Sequence, residues 1–451
     1  MNFARSAAAS HALREAAPWS LRGHVVGVSG LGIDVAGLSV QTSIGDRLRL
    51  RTATGAELEA EIVGFHNDIA QAMVLGPIEG LGPGTLALAH AAPPGRTIRG
   101  AGLTPSPDWL GRVLDPLGRP LDGKPPPACG DRRYPLRTNP PQAVERARLG
   151  PPLDFGVKAL NCFAPCRAEQ RLGLFAGSGI GKSTLLGMLT RGAACDVAVV
   201  ALVGERGREV REFIEDELGL DGMVRSVVIV ATSDAPPLLR REAALAAMTV
   251  AEYFRDHGQS VLLLMDSVTR FCLALREIGL SAGEPPTTRG YPPSVFAELP
   301  RLLERAGPGR QSAAPGFITA LFTVLVEGDD HNEPIADAVR GILDGHIILD
   351  RRIAESGRYP AIDILRSLSR AAAGCHRPEQ EQLALRARKI LALYADMADM
   401  VRLGAYRPGS DPAVDEAVAL APRIEAMLDQ PRQESCAAEA SFAALAAALN
   451  P

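Results

Sequence analysis

Eight consecutive residues, Ala176-Gly177-Ser178-Gly179-Ile180-Gly181-Lys182-Ser183, set three glycines, a lysine and a hydroxyl side by side. Glycines at 177, 179 and 181 allow positive φ, so successive backbone N–H groups can be aimed into one concavity that suits a polyphosphate. Lys182 supplies a point charge for phosphate oxygens, and the Ser183 hydroxyl can ligate Mg²⁺. From Thr184 the apolar run to Leu189 opens a helix whose N-terminus favours anions. Leu172-Gly173-Leu174-Phe175 reads as a strand entering the loop. Ala176 stands where the strict pattern has its first glycine, and alanine serves there if that residue is not left-handed. The chain has only four lysines, at 124, 158, 182 and 389, and one of them falls in this loop. The loop is therefore expected to bind a nucleotide's phosphates through Gly177, Ser178, Gly179, Ile180, Gly181, Lys182, Ser183 and Thr184.

Two carboxylates follow at positions that suit phosphate chemistry. Asp266 ends the apolar run Val261-Leu262-Leu263-Leu264-Met265, where a buried strand can hold a carboxylate rigidly beside a Mg²⁺ ion. On its own this could be a strand-terminal helix cap, but the upstream loop favours the metal reading. Glu205 follows the run Val197 to Val203, where it could polarise a water in line with the terminal phosphate. Arg208 and Glu212, four residues apart, read as an exposed ion pair on a solvated helix face.

The elements that must carry these groups can be read from periodicity. The fully apolar runs Val197–Val203, Val227–Val230, Val261–Met265 and Phe317–Val326 alternate with helical segments, the longest from about Pro237 to His257. That pattern predicts a doubly wound α/β domain with its ligand at the carboxyl edge of the sheet. Upstream, short alternating stretches at Gly23–Val28, Leu38–Val40, Leu48–Leu50, Leu58–Val63 and Ala72–Leu75 predict a small β-barrel or sandwich. An Ala-rich, weakly helical arm precedes it and is broken by Pro18. Residues Pro105 to Pro152 are Pro- and Gly-rich and read as ordered loop. Beyond about Arg370 strand patterns give way to helical ones. Ala387, Ile390, Tyr394, Met397 and Val401 recur at helical spacing, and Asp411-Pro412 starts a second helix. The expected division is an arm over 1–20, a barrel over 21–92, a phosphate-loop domain over 93–370 and a helical domain over 371–451.

Composition bounds the alternatives. At 451 residues, 46% hydrophobic and 22% charged, the chain suits a soluble multidomain protein. No apolar stretch is long enough to span a bilayer, and Arg5, His11, Arg14 and Glu15 interrupt any signal-peptide core, so a cytoplasmic protein is expected. Seven scattered cysteines show no repeated metal-ligand spacing and read as reduced thiols. A net charge of −4 argues against broad attraction to nucleic acid.

Several segments together resemble a known family. Gly177 to Ser183, Gly204-Glu205-Arg206, the Asp266 strand with Arg270-Phe271, Pro293-Ser294-Val295-Phe296-Ala297-Glu298-Leu299-Pro300, and Tyr359-Pro360-Ala361-Ile362-Asp363 through Ser367-Leu368-Ser369-Arg370 are similar to the protein-export ATPases of bacterial flagella and type III secretion. Those are relatives of the catalytic subunits of rotary F-type ATP synthases. The resemblance spans about residues 21 to 430. It implies a β-barrel, a RecA-type core and a helical C-terminal domain, assembled as a homohexamer. It further implies that Lys182 and Ser183 bind phosphate and Mg²⁺, that Glu205 activates water, and that Asp266 is the metal-side acid. Arg206 and Arg270 would order the γ-phosphate side, Tyr359 would pack on adenine, and Arg370 would be an arginine finger entering the neighbouring subunit's site. Implied partners are a stalk-like regulator dimer bound through the N-terminal arm, export substrates with their chaperones, and export-gate membrane proteins. The implied place is the cytoplasmic face of the membrane.

Other function classes fit less well. An ATP synthase β subunit carries Lys-Thr where this chain has Lys182-Ser183, and the C-terminal helices here lack its acidic turn. A ring-shaped RNA translocase needs a basic groove with stacking aromatics. The first ninety residues instead hold six Arg and no Lys against eight acidic residues, with only Phe3, Trp19 and Phe65 as aromatics. A nucleotide-binding scaffold without activity would not need Lys182, Glu205 and Asp266 together. Export through the flagellar apparatus is the leading expectation, with the virulence-type injectisome as the alternative.

Overall fold

The computed structural model describes residues 20–52, 54–90, 101–310, 316–326 and 333–450. Of the arm expected over 1–20, residues 1–19 lie outside them. Six antiparallel strands close a barrel: β1 (Ser20–Ser29), β2 (Gly32–Ala36), β3 (Arg47–Arg51), β4 (Glu57–His66), β5 (Ile69–Val74) and β6 (Leu86–His90), in the order β1-β2-β5-β4-β3-β6 with β6 returning to β1. Closure leaves no free sheet edge. Alternation fills the interior with Val25, Val35, Leu48, Leu50, Ile62, Ala72 and Ala87. Leu38–Val40, expected as a strand, is instead a turn. Leu38 drops its side chain into the barrel core while Val40 is exposed, so the apolar pair belongs to a loop that plugs the barrel. The strands that periodicity missed are β2 and β6.

Five short strands lead into the central domain: β7 (Gly102–Leu103), β8 (Arg112–Leu114), β9 (Tyr134–Pro135), β10 (Pro152–Leu153) and β11 (Cys166–Arg167). Then follow β12 (Arg171–Ala176), β13 (Val197–Val203), β14 (Ser226–Ala231), β15 (Ser260–Asp266), β16 (Phe317–Leu325), β17 (Gly345–Ile348) and β18 (Leu368–Ser369). The main sheet has the order β18-β17-β12-β16-β15-β13-β14-β8 and is parallel except for β18. β8 corrects the reading of Pro105–Pro152 as loop alone, since Arg112 to Leu114 pair with Val227 to Ile229 as the sheet's edge.

Strand alternation divides the interior into two layers. Val197, Val199, Ala201 and Val203 of β13 face one core, built with helices Pro237–Asp256 and Val268–Ser281. Val200 and Leu202 face the other, with Leu185, Leu186 and Leu189 of the phosphate-loop helix Lys182–Gly192. That second core runs without a break into the C-terminal helices Pro378–Arg402, Pro412–Leu428 and Ala438–Leu449, through Ala387, Ile390, Leu420, Ile424, Phe442 and Leu445. The helical end of the chain is packed onto the layer that carries the loop.

The barrel meets the central domain at a small apolar contact of Met73 and Leu75 with Leu238 and Ile278. Beside it lies a buried ionic cluster in which Glu61 is 2.6 Å from Arg241 and 3.0 Å from Arg137. Burial pushes the Glu61 carboxyl up, but the Arg241, Arg137 and Arg47 guanidiniums outweigh it and hold the group below its usual range.

Candidate active site

The phosphate loop joins β12 to its helix, and two of its glycines take the conformation the sequence requires. Gly179 has φ +77° and Gly181 φ +87°, values that L side chains rarely adopt. Ser178 and Gly179 are exposed, Ile180 is buried beneath them, and Ser183 is exposed in the first turn of the helix. The helix starts at Lys182, where its N-terminus can favour an anion.

Parallel pairing puts the other groups at the same sheet edge. Leu202 of β13 pairs with Asp266 of β15, so Glu205, three residues beyond Leu202, and Asp266 leave neighbouring strands on the same side. Lys182 Nζ donates to Asp266 Oδ1 at 2.6 Å and to Glu205 Oε1 at 3.3 Å. Burial opposes the lysine's charge, yet the two carboxylates outweigh it and raise Lys182 above its usual value. Glu205 moves the other way. Burial first, and then the Asp266 charge, push it up to about 7 against the pull of Lys182. A carboxyl poised there suits proton transfer at neutral pH.

Further groups hold this arrangement; sequence reasoning did not single out Thr323, Glu209 and Arg351 for the site, and met Gly204 only within the Gly204-Glu205-Arg206 segment. Thr323, a hydroxyl inside the apolar run of β16, donates to Asp266 Oδ1 at 2.8 Å and fixes its orientation. Glu209 shares a hydrogen bond with Glu205. Gly204 has φ +70°, and a Cβ there would stand 2.9 Å from Arg270 Cβ, so the Arg270 stem runs where Gly204 has no side chain. Arg351 donates to the Ser178 carbonyl at 3.1 Å, bracing the loop from behind. The readable signal was a polar residue in an apolar strand for Thr323, and a glycine directly before the charged pair for Gly204.

The remaining expected residues are placed as follows. Arg270 lies beside Glu205 through Gly204, and its Nε is buried without a hydrogen-bond partner among the described residues. Tyr359 packs its ring edge 3.4 Å from where a Gly181 Cβ would be, and is 42% exposed, leaving aromatic surface for a base. Arg206 is largely exposed and pairs at 2.8 Å with Glu209, the residue that hydrogen-bonds Glu205. The Thr184 hydroxyl, expected to help bind the phosphates, is instead engaged with Glu217, to which it donates at 2.9 Å. Arg208 and Glu212 form the exposed pair that their spacing predicts.

Arg370 is not brought to this site within its own chain. Its N–H bonds Asp344 O at 2.9 Å, and the Asp344 carboxylate in turn accepts from the Arg171 N–H at the start of β12. The loop lies at the other end of β12, about 20 Å away at the usual rise per residue. The exposed Arg370 guanidinium donates to Arg340 O at 3.2 Å.

Hard oxygen donors at Ser183 and Asp266, with open space around Gly179, fit a Mg²⁺–nucleotide. No three His, Cys, Asp or Glu side chains cluster as a metal site among the described residues.

Comparison with known proteins agrees with this geometry. Residues 156–369 match the ATP synthase alpha/beta family, nucleotide-binding domain, and residues 376–447 match the T3SS EscN ATPase C-terminal domain. The chain is 51% identical over 438 residues to the flagellum-specific ATP synthase of Caulobacter vibrioides, covering 96% of this chain and 97% of that protein. It is 48% identical to the type 3 secretion system ATPase of Xanthomonas euvesicatoria, covering 92% and 91%. Among solved structures, the assembled ATPase EscN of the enteropathogenic E. coli type III secretion system superimposes with a TM-score of 0.85 at 37% identity, over 95% of this chain and all of that one. The same ATPase in complex with its central stalk EscO gives 0.83 at 36% identity, again over 95% and all of the chain. With a lysine and two carboxylates converging at the strand ends, and similarity running nearly from end to end, the chain belongs to the family of flagellum-specific ATP synthases and type III secretion ATPases and is an ATPase.

Proposed function

We propose that ATP hydrolysis by this protein energises export of proteins through a flagellar type III secretion apparatus, by releasing substrates from their chaperones and unfolding them at the export gate. The observation that carries the chemistry is the convergence of Lys182, Glu205 and Asp266 at one sheet edge. The flagellar assignment rests on end-to-end similarity to flagellum-specific relatives. The Xanthomonas relative favours a second reading, an injectisome ATPase of the same chemistry.

Lys182 and the loop N–H groups grip the β and γ phosphates, and Tyr359 offers its exposed ring to the adenine. Mg²⁺, held by Ser183 and Asp266, would neutralise charge on the phosphate oxygens. Thr323 keeps the Asp266 carboxylate oriented. Glu205 takes a proton from the water that attacks the γ-phosphate, and Glu209 beside it accepts that proton's hydrogen bond. Arg270 stands next to Glu205 to order the γ-phosphate side. Arg206 is joined to Glu205 through Glu209 and orders the same side. Because Arg370 sits at the far end of the sheet, it serves a neighbour's site in a homohexameric ring, not its own.

The proposed partners are a stalk-like regulator dimer held by the arm over residues 1–20, export substrates with chaperones on the C-terminal helices, and export-gate membrane proteins. Nucleic acid is not among them. No helix among the described residues is long and apolar enough to cross a membrane, and the protein is placed at the cytoplasmic face of the inner membrane by its gate partners. A deletion strain should lose swimming and flagellar protein export, both restored by the wild-type gene and not by Glu205→Gln. Intact swimming with loss of effector delivery to host cells would instead assign the injectisome.

A further inference from the structure

Between the helix after β13 and the strand β14, the backbone makes one turn of π-helix, Phe213–Leu218. Such turns are rare and re-aim side chains. Here the turn presses against the phosphate-loop helix at Gly187, where a Cβ would stand 2.8 Å from Glu217 Cβ and 3.0 Å from Glu217 O. That close approach delivers the Glu217 carboxylate to the first turn of the loop helix. Its Oε1 accepts from Thr184 Oγ1 at 2.9 Å, one residue beyond Ser183 and two beyond Lys182. Its Oε2 is buried and has no hydrogen-bond partner among the described residues. A buried carboxylate oxygen left unpaired costs stability, so packing alone does not account for a glutamate at this place.

On its other side Glu217 faces the C-terminal helical region. Arg432, in the connector between helices Pro412–Leu428 and Ala438–Leu449, brings Nη1 to 3.9 Å from Glu217 Oε1. The Arg432 carbonyl accepts from Arg191 Nη2, on the last turn of the loop helix, at 2.5 Å. The same connector grips the adenine side of the loop. The Tyr359 N–H donates to Asp429 Oδ1 at 3.0 Å, the Gln430 N–H donates to Tyr359 O at 2.7 Å, and the Tyr359 ring rests against Gly181. Gln430 is buried and bonded to Lys158 N–H and to the Gly156 and Glu434 carbonyls, which anchors the connector to the core.

We infer that Glu217 is a positioning residue for ATP hydrolysis: by holding Thr184 it sets the helix turn that presents Lys182 and Ser183, and through Arg432 it ties that turn to the C-terminal helices. Displacement of the connector by anything docked on those helices then reaches the phosphates by the path Arg432–Glu217–Thr184.

The test uses the full-length protein and steady-state ATP hydrolysis with separate nucleotide-binding measurements. Thr184→Val and Glu217→Ala should each lower kcat/KM about 10-fold, the order expected for a hydrogen bond to a charged acceptor, with most of the loss in kcat. The double variant should be no worse than about twofold below the poorer single one, because both remove the same bond. Glu217→Gln keeps an acceptor and should recover to within about threefold of wild type. Arg432→Ala should lower the rate in the wild-type background and have no further effect on Glu217→Ala. Thermal unfolding run on every variant normalises for folded protein. Wild-type kinetics in Glu217→Ala, multiplying effects in the double variant, or a Glu217→Gln as poor as Glu217→Ala would overturn the positioning role. An Arg432→Ala effect that persists undiminished in the Glu217→Ala background would overturn the path to the C-terminal helices.

Discussion

Asp266 receives the Lys182 ammonium at 2.6 Å and does so on the same oxygen, Oδ1, that accepts the Thr323 hydroxyl at 2.8 Å. One carboxylate oxygen on β15 thus ties the phosphate loop after β12 to the interior of β16, the strand that lies between them in the sheet. Three adjacent strand ends act as a single rigid mount, which is how a parallel sheet presents catalytic groups at its carboxyl edge.

Gly204 is the position where this mount tolerates least. With φ +70° and the Arg270 stem 2.9 Å from where a Cβ would lie, Gly204→Ala combines backbone strain with a steric clash. It should cost about 1–3 kcal/mol of stability, read by denaturant unfolding. Turnover should fall by more than about tenfold, since the residue that moves next is Glu205. An alanine variant with wild-type unfolding and turnover would show that Arg270 and Glu205 are not held through this contact.

Far from the site, Glu169 provides a pH signature of the fold. It is buried in a turn with φ +73°, its Oε2 has no partner among the described residues, and burial pushes its carboxyl from 4.5 up to about 7. The folded chain therefore binds this proton more tightly than the unfolded chain. Stability must fall as pH rises from about 4.5 to 7, with the full penalty present above 7. Glu169→Gln should be more stable than wild type by about 1–2 kcal/mol at pH 8, with the gap closing near pH 4.5. Unfolding curves for the two proteins that run parallel across this range would contradict the assignment.

Arg370 lies at the opposite end of β12 from its own loop, and the proposed finger role then requires a ring for full activity. Lys182→Ala should abolish hydrolysis, and Arg370→Ala should lower it about 10³- to 10⁵-fold, the usual worth of an arginine finger. Mixed under ring-forming conditions, the two should restore phosphate release, because some interfaces then hold an intact loop from one chain and Arg370 from the other. A mixture no more active than its parents, with ring assembly verified by light scattering, would confine Arg370 to a structural role.

Much of this architecture was legible because the central strands are buried on both faces and so read as unbroken apolar runs. Val197–Val203 coincides with β13, and the run ending at Asp266 with β15. The strands that stayed hidden are short or rimmed by turn residues. β8 is three residues between Gly111 and Asp115, and β17 is four residues beginning at a glycine, so each is held by its neighbours and not by its own pattern. The site was half visible. Lys182, Glu205 and Asp266 follow from loop and strand chemistry, whereas Thr323, Gly204 and Glu217 acquire their roles only when distant segments meet. The π turn at Phe213–Leu218 left no mark in a stretch that reads as one continuous helix.

The account turns on Glu205 as the group that activates water at a site whose binding elements lie elsewhere. In the proposed mechanism Lys182, the loop glycines and Tyr359 hold the nucleotide, so Glu205→Gln should leave ATP affinity within a few-fold of wild type while lowering kcat about 10²- to 10⁴-fold. The decisive measurement is paired nucleotide binding and single-turnover hydrolysis on purified Glu205→Gln. Tight binding with a stalled ATP complex is the predicted result. Hydrolysis near the wild-type rate would remove Glu205 from the reaction and contradict the site as described.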